Sequence, residues 1–294
     1  MSDSESFIPQ ATADGSFTFF SKEFGESFHS HYGARQESFL KFVDVTELVH
    51  KAKKPVLRLL DVCYGLGYNT AAALQSIWAV NPTCYVELIG LELNAAVPQA
   101  AITHNLFDSW ACEYIEILTQ LAFEYQVETH RCKAQLLIGD ARSSIQQLNE
   151  ANFLADAIFL DPFSPPQCPQ LWTIEFIKRL ALSLNEDGIL ATYSCAAAVR
   201  TALLAVGLQI GSTPPVGRRT PGTMASHVKF PSSSNLSPAE KEHLLTRAAI
   251  PYRDPELSDS ADVILKRRQL EQEVSSLEPT SRWRKRWLYK NLEN

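Results

Sequence analysis

A chain of 294 residues, 45% hydrophobic and 20% charged, has the composition of a soluble globular protein long enough for one large α/β domain and an appendage. No run of eighteen apolar residues occurs, and the opening MSDSESFIPQ lacks the basic and apolar regions of a signal peptide, so no membrane association and a cytoplasmic location are expected. The net charge of −6 does not advertise a nucleic-acid binder, and the 6 cysteines (Cys63, Cys84, Cys112, Cys132, Cys168, Cys195) form no C-x-x-C pair, so no metal site and mostly buried, reduced thiols are expected.

In chain order, the first element is an arm, DGSFTFFSKEFGESFHSHYGARQESF, whose alternating aromatic and polar residues predict a short hairpin running into a helix. Val56–Val62 (VLRLLDV) is the first strand; it enters the Gly-rich turn CYGLGYN and the helix TAAALQSIWAV. Tyr85–Leu93 is the second strand, followed by a largely helical stretch from about 94 to 130. Ala134–Arg142 and Asp156–Phe163 are the third and fourth strands. A helix around Ile174–Leu184 stops at a turn, NEDG, before a fifth strand, Gly188–Ser194. AAAVRTALLAVG reads as a helix closed by Gly207. LQIGSTP and TMASHVKF predict a terminal β pair around VGRRTPG, which puts Arg218 and Arg219 at its turn. This alternation of strand and helix predicts a parallel sheet flanked by helices.

The Ser- and Pro-rich stretch 227–238 reads as a linker, dividing the chain into an arm and helix (1–54), a Rossmann-like domain (55–230) and a helical, basic extension (231–294). Ser237 with Glu240 three residues on forms a capping-box signal. A helix over about 259–277 follows, then RWRKRWLYK, which interleaves basic and aromatic residues. That pattern suits phosphates and exposed bases, and equally suits a tail helix that docks its tryptophans on the body.

The chemistry gathers at strand ends. Gly65 and Gly67 allow close approach of backbone to a nucleotide, although Thr70 stands where a dinucleotide fingerprint has its third glycine; the turn also serves simply to pack a helix on a strand. Glu92, about 25 residues beyond Gly67, can accept from two ribose hydroxyls, or be a solvated strand-end acid. Asp140, with Ala141 after it, can meet an adenine amino group, cap the next helix, or both. Together these features favour an adenosine-type cofactor, S-adenosylmethionine over a dinucleotide. The apolar run Ala157–Leu160 then ends on Asp161, in FLDPFSPPQCPQLW. A carboxylate there can orient an attacking amine and take its proton, or merely cap a turn. Pro162 and Pro165 stiffen the loop and Phe163 offers a stacking face. Trp172 reads as a core anchor for the following helix.

DGSFTFFSKEFGESFHSHYGARQES, DVCYGLGYN, GDAR, FLDPFSPPQCPQLW and ATYSCAAAVR, in this order over about Asp14 to Arg200, resemble the methyltransferase half of the MnmC family of tRNA wobble-uridine modifying enzymes. The resemblance implies a Rossmann-like class I methyltransferase with a mostly parallel seven-stranded sheet. It implies S-adenosylmethionine-dependent methylation of the amine of 5-aminomethyluridine, with or without 2-thiolation, in a tRNA anticodon loop. It further implies that Asp61, Gly65, Gly67, Asn69, Glu92, Asp140 and Ala141 hold the cofactor and that Asp161 lies beside the amine. His29, Ser30, Tyr32, Gly33 and Glu37 would belong to an arm closing over the site, with Phe163, Tyr193, Arg218 and Arg219 also on the substrate side. His29 and His31 otherwise read as surface or hairpin-packing histidines. The family's FAD-dependent oxidase half has no counterpart, so no FAD is expected. Cys63 stands where the family's turn usually has glycine. Two other readings compete: a methyltransferase with another amine or small-molecule acceptor, and a non-catalytic RNA- or cofactor-binding module.

Overall fold

The computed structural model describes residues 7–217 and 220–290, with side chains described through Trp287. Arg218 and Arg219 therefore lie outside the described residues, as do the side chains of Tyr289 and Lys290. The arm forms two small hairpins, β1 (Gln10–Ala11) with β2 (Phe17–Thr18) and β3 (Phe20–Ser21) with β4 (Glu26–Ser27). A single turn, α1 (Ala34–Glu37), continues into a π-helical segment, Ser38–Val43, before α2 (Leu48–Lys51).

The parallel body follows: β5 (Val56–Val62), α3 (Tyr68–Val80), β6 (Tyr85–Glu92), α4 (Ala96–Thr103) and α5 (Cys112–Glu124). Next come β7 (Gln126–Glu128), β8 (Cys132–Ile138), α6 (Ala141–Glu150), β9 (Ala155–Leu160), α7 (Ile174–Leu182), β10 (Leu184–Thr192) and α8 (Ala197–Ala205). The antiparallel pair β11 (Gln209–Ser212) and β12 (Thr223–Ser226) closes one edge. The sheet runs β11-β12-β10-β9-β5-β6-β8-β7. Its eighth strand is β7, inside the stretch expected to be helical. Tyr125 ends α5 in the left-handed region at φ 60°, and the chain turns back antiparallel along β8. NEDG is not a turn before a strand but part of β10, taken up as an irregularity in its register with β9.

Side chains alternate across the sheet because strand period is two. On β5, Leu57 and Leu59 join the core under α3 and the arm, while Leu60 and Val62 join the core under α6, α7 and α8. All of β9 is buried, as befits a central parallel strand covered on both faces. Phe7, Phe19, Phe42 and Val43 share the first core, so the arm packs on the sheet's helical layer. The tail helices are α9 (Pro238–His243), α10 (Ala261–Val274) and α11 (Thr280–Lys290). The Ser237–Glu240 capping box forms as expected. Among the described residues no helix is long and apolar enough to cross a membrane.

Candidate active site

Five parallel strands deliver their C-terminal ends to one side of the sheet, and there the arm roofs a cavity of about 570 Å³. One stretch of the lining comes from Cys63, Gly65 and Glu92, a second from Asp161, Phe163 and Tyr193, and the roof from residues 24–32 of the arm.

The first wall is built by the turn after β5. Cys63 takes φ 66°, Gly65 φ 56° and Gly67 φ 98°. Left-handed backbone at a non-glycine residue costs about 1–3 kcal/mol, which Cys63 bears where glycine would not. A Cβ on Gly67 would stand 2.8 Å from the Tyr64 hydroxyl, so that glycine is sterically required. Glu92 is buried at the end of β6. Its Oε2 accepts from the Gly65 amide at 2.8 Å and its Oε1 from the Asn94 amide at 2.9 Å. Burial raises its pKa above the usual carboxylate value, against the lowering effect of those amides. Asp61 is fully buried, accepts from the Thr70 hydroxyl at 2.8 Å, and is pushed up to about 7 by burial. Asp61 Oδ1 and Asn69 Oδ1 are buried without partners, and buried polar atoms of that kind ordinarily signal a missing polar ligand or water. The residues present thus fit a polar nucleoside cofactor at this turn.

Asp61, Gly67 and Asn69 belong to this turn without lining the cavity. Asp140 and Ala141 do not line it either: Asp140 caps α6 and turns both carboxylate oxygens to the Arg142 guanidinium. Arg142 is held from behind by Asp254, fully buried, at 2.8 Å.

On the second wall, the Asp161 amide donates to the Val62 carbonyl at 3.1 Å, which locks β9 to β5 at the point where both end. Asn69 Nδ2 donates to Asp161 Oδ2 at 3.0 Å, while Oδ1 carries no hydrogen bond among the described residues. The side chain keeps some access to the cavity but is ringed by protein, and its carboxyl is pushed up to about 8 by that burial, the Asn69 bond opposing. The Trp172 indole, fully buried, donates to the Phe163 carbonyl at 2.9 Å, and the Tyr193 hydroxyl to the Pro162 carbonyl at 2.9 Å. Trp172 is a core anchor and also staples the loop.

The roof explains several arm residues. Glu26 accepts from the Ser164 amide at 2.9 Å and hydroxyl at 2.5 Å, and Phe24 stacks on Phe163 with centroids 4.4 Å apart. Phe163 is thus already paired with the arm. Glu37 accepts from the Ser30 hydroxyl at 2.5 Å and from Lys41 at 2.6 Å. His29 is buried edge-on to Tyr68, its Nδ1 without a partner, and burial pushes it down to about 4, so the ring is neutral near pH 7. Tyr32 is exposed and stands against Gly217, where a Cβ would meet its Cβ at 2.8 Å. A Cβ on Gly33 would lie 2.3 Å from the Asp14 carboxylate, which in turn ties down Thr12, Ser16 and the Gln36 amide. Sequence reasoning missed Glu26, Lys41 and the Arg142–Asp254 brace. Only Lys41 left a local signal, its four-residue spacing from Glu37.

In the tail, the Trp283 indole donates to the Ala239 carbonyl at 3.0 Å, the Trp287 indole to Glu242 at 2.9 Å, and Arg286 pairs with Glu242 and Glu278. Both tryptophans dock on α9, so the tail helix packs within the extension, where the expectation had them on the body.

A family model described as S-adenosyl-L-methionine-dependent methyltransferase matches residues 104–228. The solved structure of MnmC2 from Aquifex aeolicus is 34% identical, with a TM-score of 0.79 over 92% of this chain and 87% of that one. An uncharacterized protein of Methanocaldococcus jannaschii is 29% identical over 90% of this chain and 72% of its own length. The tRNA 5-methylaminomethyl-2-thiouridine biosynthesis bifunctional protein MnmC of Paracidovorax citrulli is 29% identical over 73% of this chain. Only 34% of that bifunctional relative is spanned, so the chain corresponds to about a third of its length.

Proposed function

The chain belongs to the MnmC2 family of S-adenosylmethionine-dependent methyltransferases, and from that premise we propose that it methylates the aminomethyl nitrogen of a wobble uridine in cytoplasmic tRNA. The product is 5-methylaminomethyluridine, with or without 2-thiolation. The observation that carries the reading is Asp161: a carboxylate fixed by Asn69, with one free oxygen, on the wall of a cavity roofed by the arm.

When bound, S-adenosylmethionine supplies an electrophilic methyl group. Gly65, Glu92, Asn69 and Asp61 would hold it at the turn, and Asp140, braced by Arg142, would serve its adenine side. The acceptor amine arrives as an ammonium. Asp161 Oδ1 accepts its proton, which frees the nitrogen lone pair and leaves the amine hydrogen-bonded in a fixed orientation. A positioned base is worth roughly 100- to 10,000-fold, and alignment in a closed cavity adds the larger share. The arm excludes water, and the uridine reaches the cavity because a wobble base in a single-stranded loop swings out at modest cost.

The test is purified protein, S-adenosylmethionine and an anticodon stem-loop carrying 5-aminomethyluridine, with nucleosides resolved by mass spectrometry. Stoichiometric gain of one methyl on the aminomethyl nitrogen supports the reading. Cofactor binding without methylation of that RNA rejects it.

A further inference from the structure

Among the described residues lining the cavity, Lys41 is the one lysine or arginine. It is buried, and its Nζ donates at 2.6 Å to Glu37 Oε1 and to no other described group. An ammonium has three donors, so two remain unspent in the cavity wall. A buried ion pair is a poor source of stability compared with apolar packing, so stability alone gives little reason to keep one here.

Two further observations converge on this wall. The backbone that carries Lys41 is π-helical, with the Asp44 amide donating to the Phe39 carbonyl five residues back at 2.9 Å. Such wide turns are rare and gather at functional sites, because the extra residue re-aims the side chains it carries. On the same cavity, His29 is buried and its Nδ1 has no partner. The wall therefore combines an ammonium with unspent donors and an imidazole whose buried Nδ1 has no partner. Lys41 and Asp161 line the same cavity, so a group bound by Lys41 shares that cavity with the group held by Asp161.

Resting on the acceptor assigned above, we propose that Lys41 binds the carbonyl oxygen on the ring carbon next to the one bearing the aminomethyl group. It thereby selects a uracil ring over a cytosine ring. Uracil presents an acceptor at that position, whereas cytosine presents an amino donor that would face an ammonium and leave its donors unpaired. Sites built around a hydrogen bond reject the mismatched analogue far more strongly than apolar pockets do. Glu37 is the positioning residue, since it holds both Lys41 and Ser30.

The experiment compares two anticodon stem-loops that differ only in carrying 5-aminomethyluridine or 5-aminomethylcytidine. Wild type should prefer the uridine RNA by about 100-fold or more in kcat/KM. Lys41→Met should lose most of that preference, chiefly through KM on the uridine RNA, while calorimetry shows unchanged affinity for S-adenosylhomocysteine. Lys41→Arg should restore part of the preference. Lys41→Gln, whose amide offers an acceptor as well as a donor and so suits either ring, provides the same comparison if the methionine variant does not fold. Wild-type preference retained in folded Lys41→Met or Lys41→Gln protein overturns this inference alone. A wild-type protein that methylates neither RNA overturns the acceptor assignment and the inference together.

Discussion

The N-terminal arm and helix α11 are both rich in aromatic and charged residues, yet they spend them differently. In the arm, Phe24 and Phe28 gather on Phe163, and Glu37 and Lys41 pair within the wall of a cavity, so polar and stacking groups face an enclosed space. In α11, Trp283 stacks on His243 at 4.1 Å, Trp287 bonds Glu242, and Arg286 is taken by two carboxylates. Among the described side chains of this helix, Arg282, Arg284 and Lys285 are exposed and take no carboxylate partner in an ion pair. The lesson is that composition advertises a binding surface, but only groups left unspent after packing can supply one.

The largest effect should come from the cavity. Asp161→Ala is expected to lower methyl transfer by at least roughly 100-fold, within the range for loss of a positioned base, while S-adenosylhomocysteine affinity stays near wild type. Near-normal turnover in single-turnover assays would remove Asp161 from the chemistry. Next, Glu26→Ala cuts both hydrogen bonds to Ser164, a loss of about 1–3 kcal/mol, and should slow transfer about tenfold with wild-type cofactor affinity. An unchanged kcat/KM for RNA would mean the roof does not depend on that clamp.

The pH dependence sharpens the same contrast. Asp161 must be ionised to take a proton, and its carboxyl is pushed up to about 8, so kcat/KM should rise with pH through about 8. For stability the sign is opposite. A carboxyl raised above its unfolded value of about 3.9 favours folding at low pH, and that advantage is lost as pH rises toward 8. Asp161→Asn should therefore remove the activity limb and melt higher than wild type above pH 8. A pH profile flat between 6 and 9 in wild type would contradict this assignment. The smallest effect belongs to α11. Arg284→Glu should leave turnover at saturating RNA unchanged and lower the slope of log affinity against log salt by about 1. An unaltered slope would exclude α11 from phosphate contact.

The strands that build the floor of the site were legible because each is an apolar run ending on a turn residue: VLRLLDV before CYGLG, and AIFL before Asp161. Periodicity sufficed there, since both faces of a parallel sheet are covered and the pattern is local. The short antiparallel β7 was not legible, because three residues after a helix carry no period and pair only through β8. Trp172 was legible as an anchor but not as the donor that staples the Phe163 carbonyl.

By itself the sequence determined the α/β class, the strand-end positions of Gly65, Glu92, Asp140 and Asp161, and the capping box at Ser237. All of these depend on residues near one another in the chain. Only the tertiary structure decided that Glu26 closes on Ser164 and that Arg142 reaches Asp254. Tertiary packing also spent the tail's tryptophans on α9 and left Lys41 with two free donors in the cavity. Those outcomes depend on which long-range partner reaches a polar group first, and only the donors and acceptors left over after packing can serve a ligand.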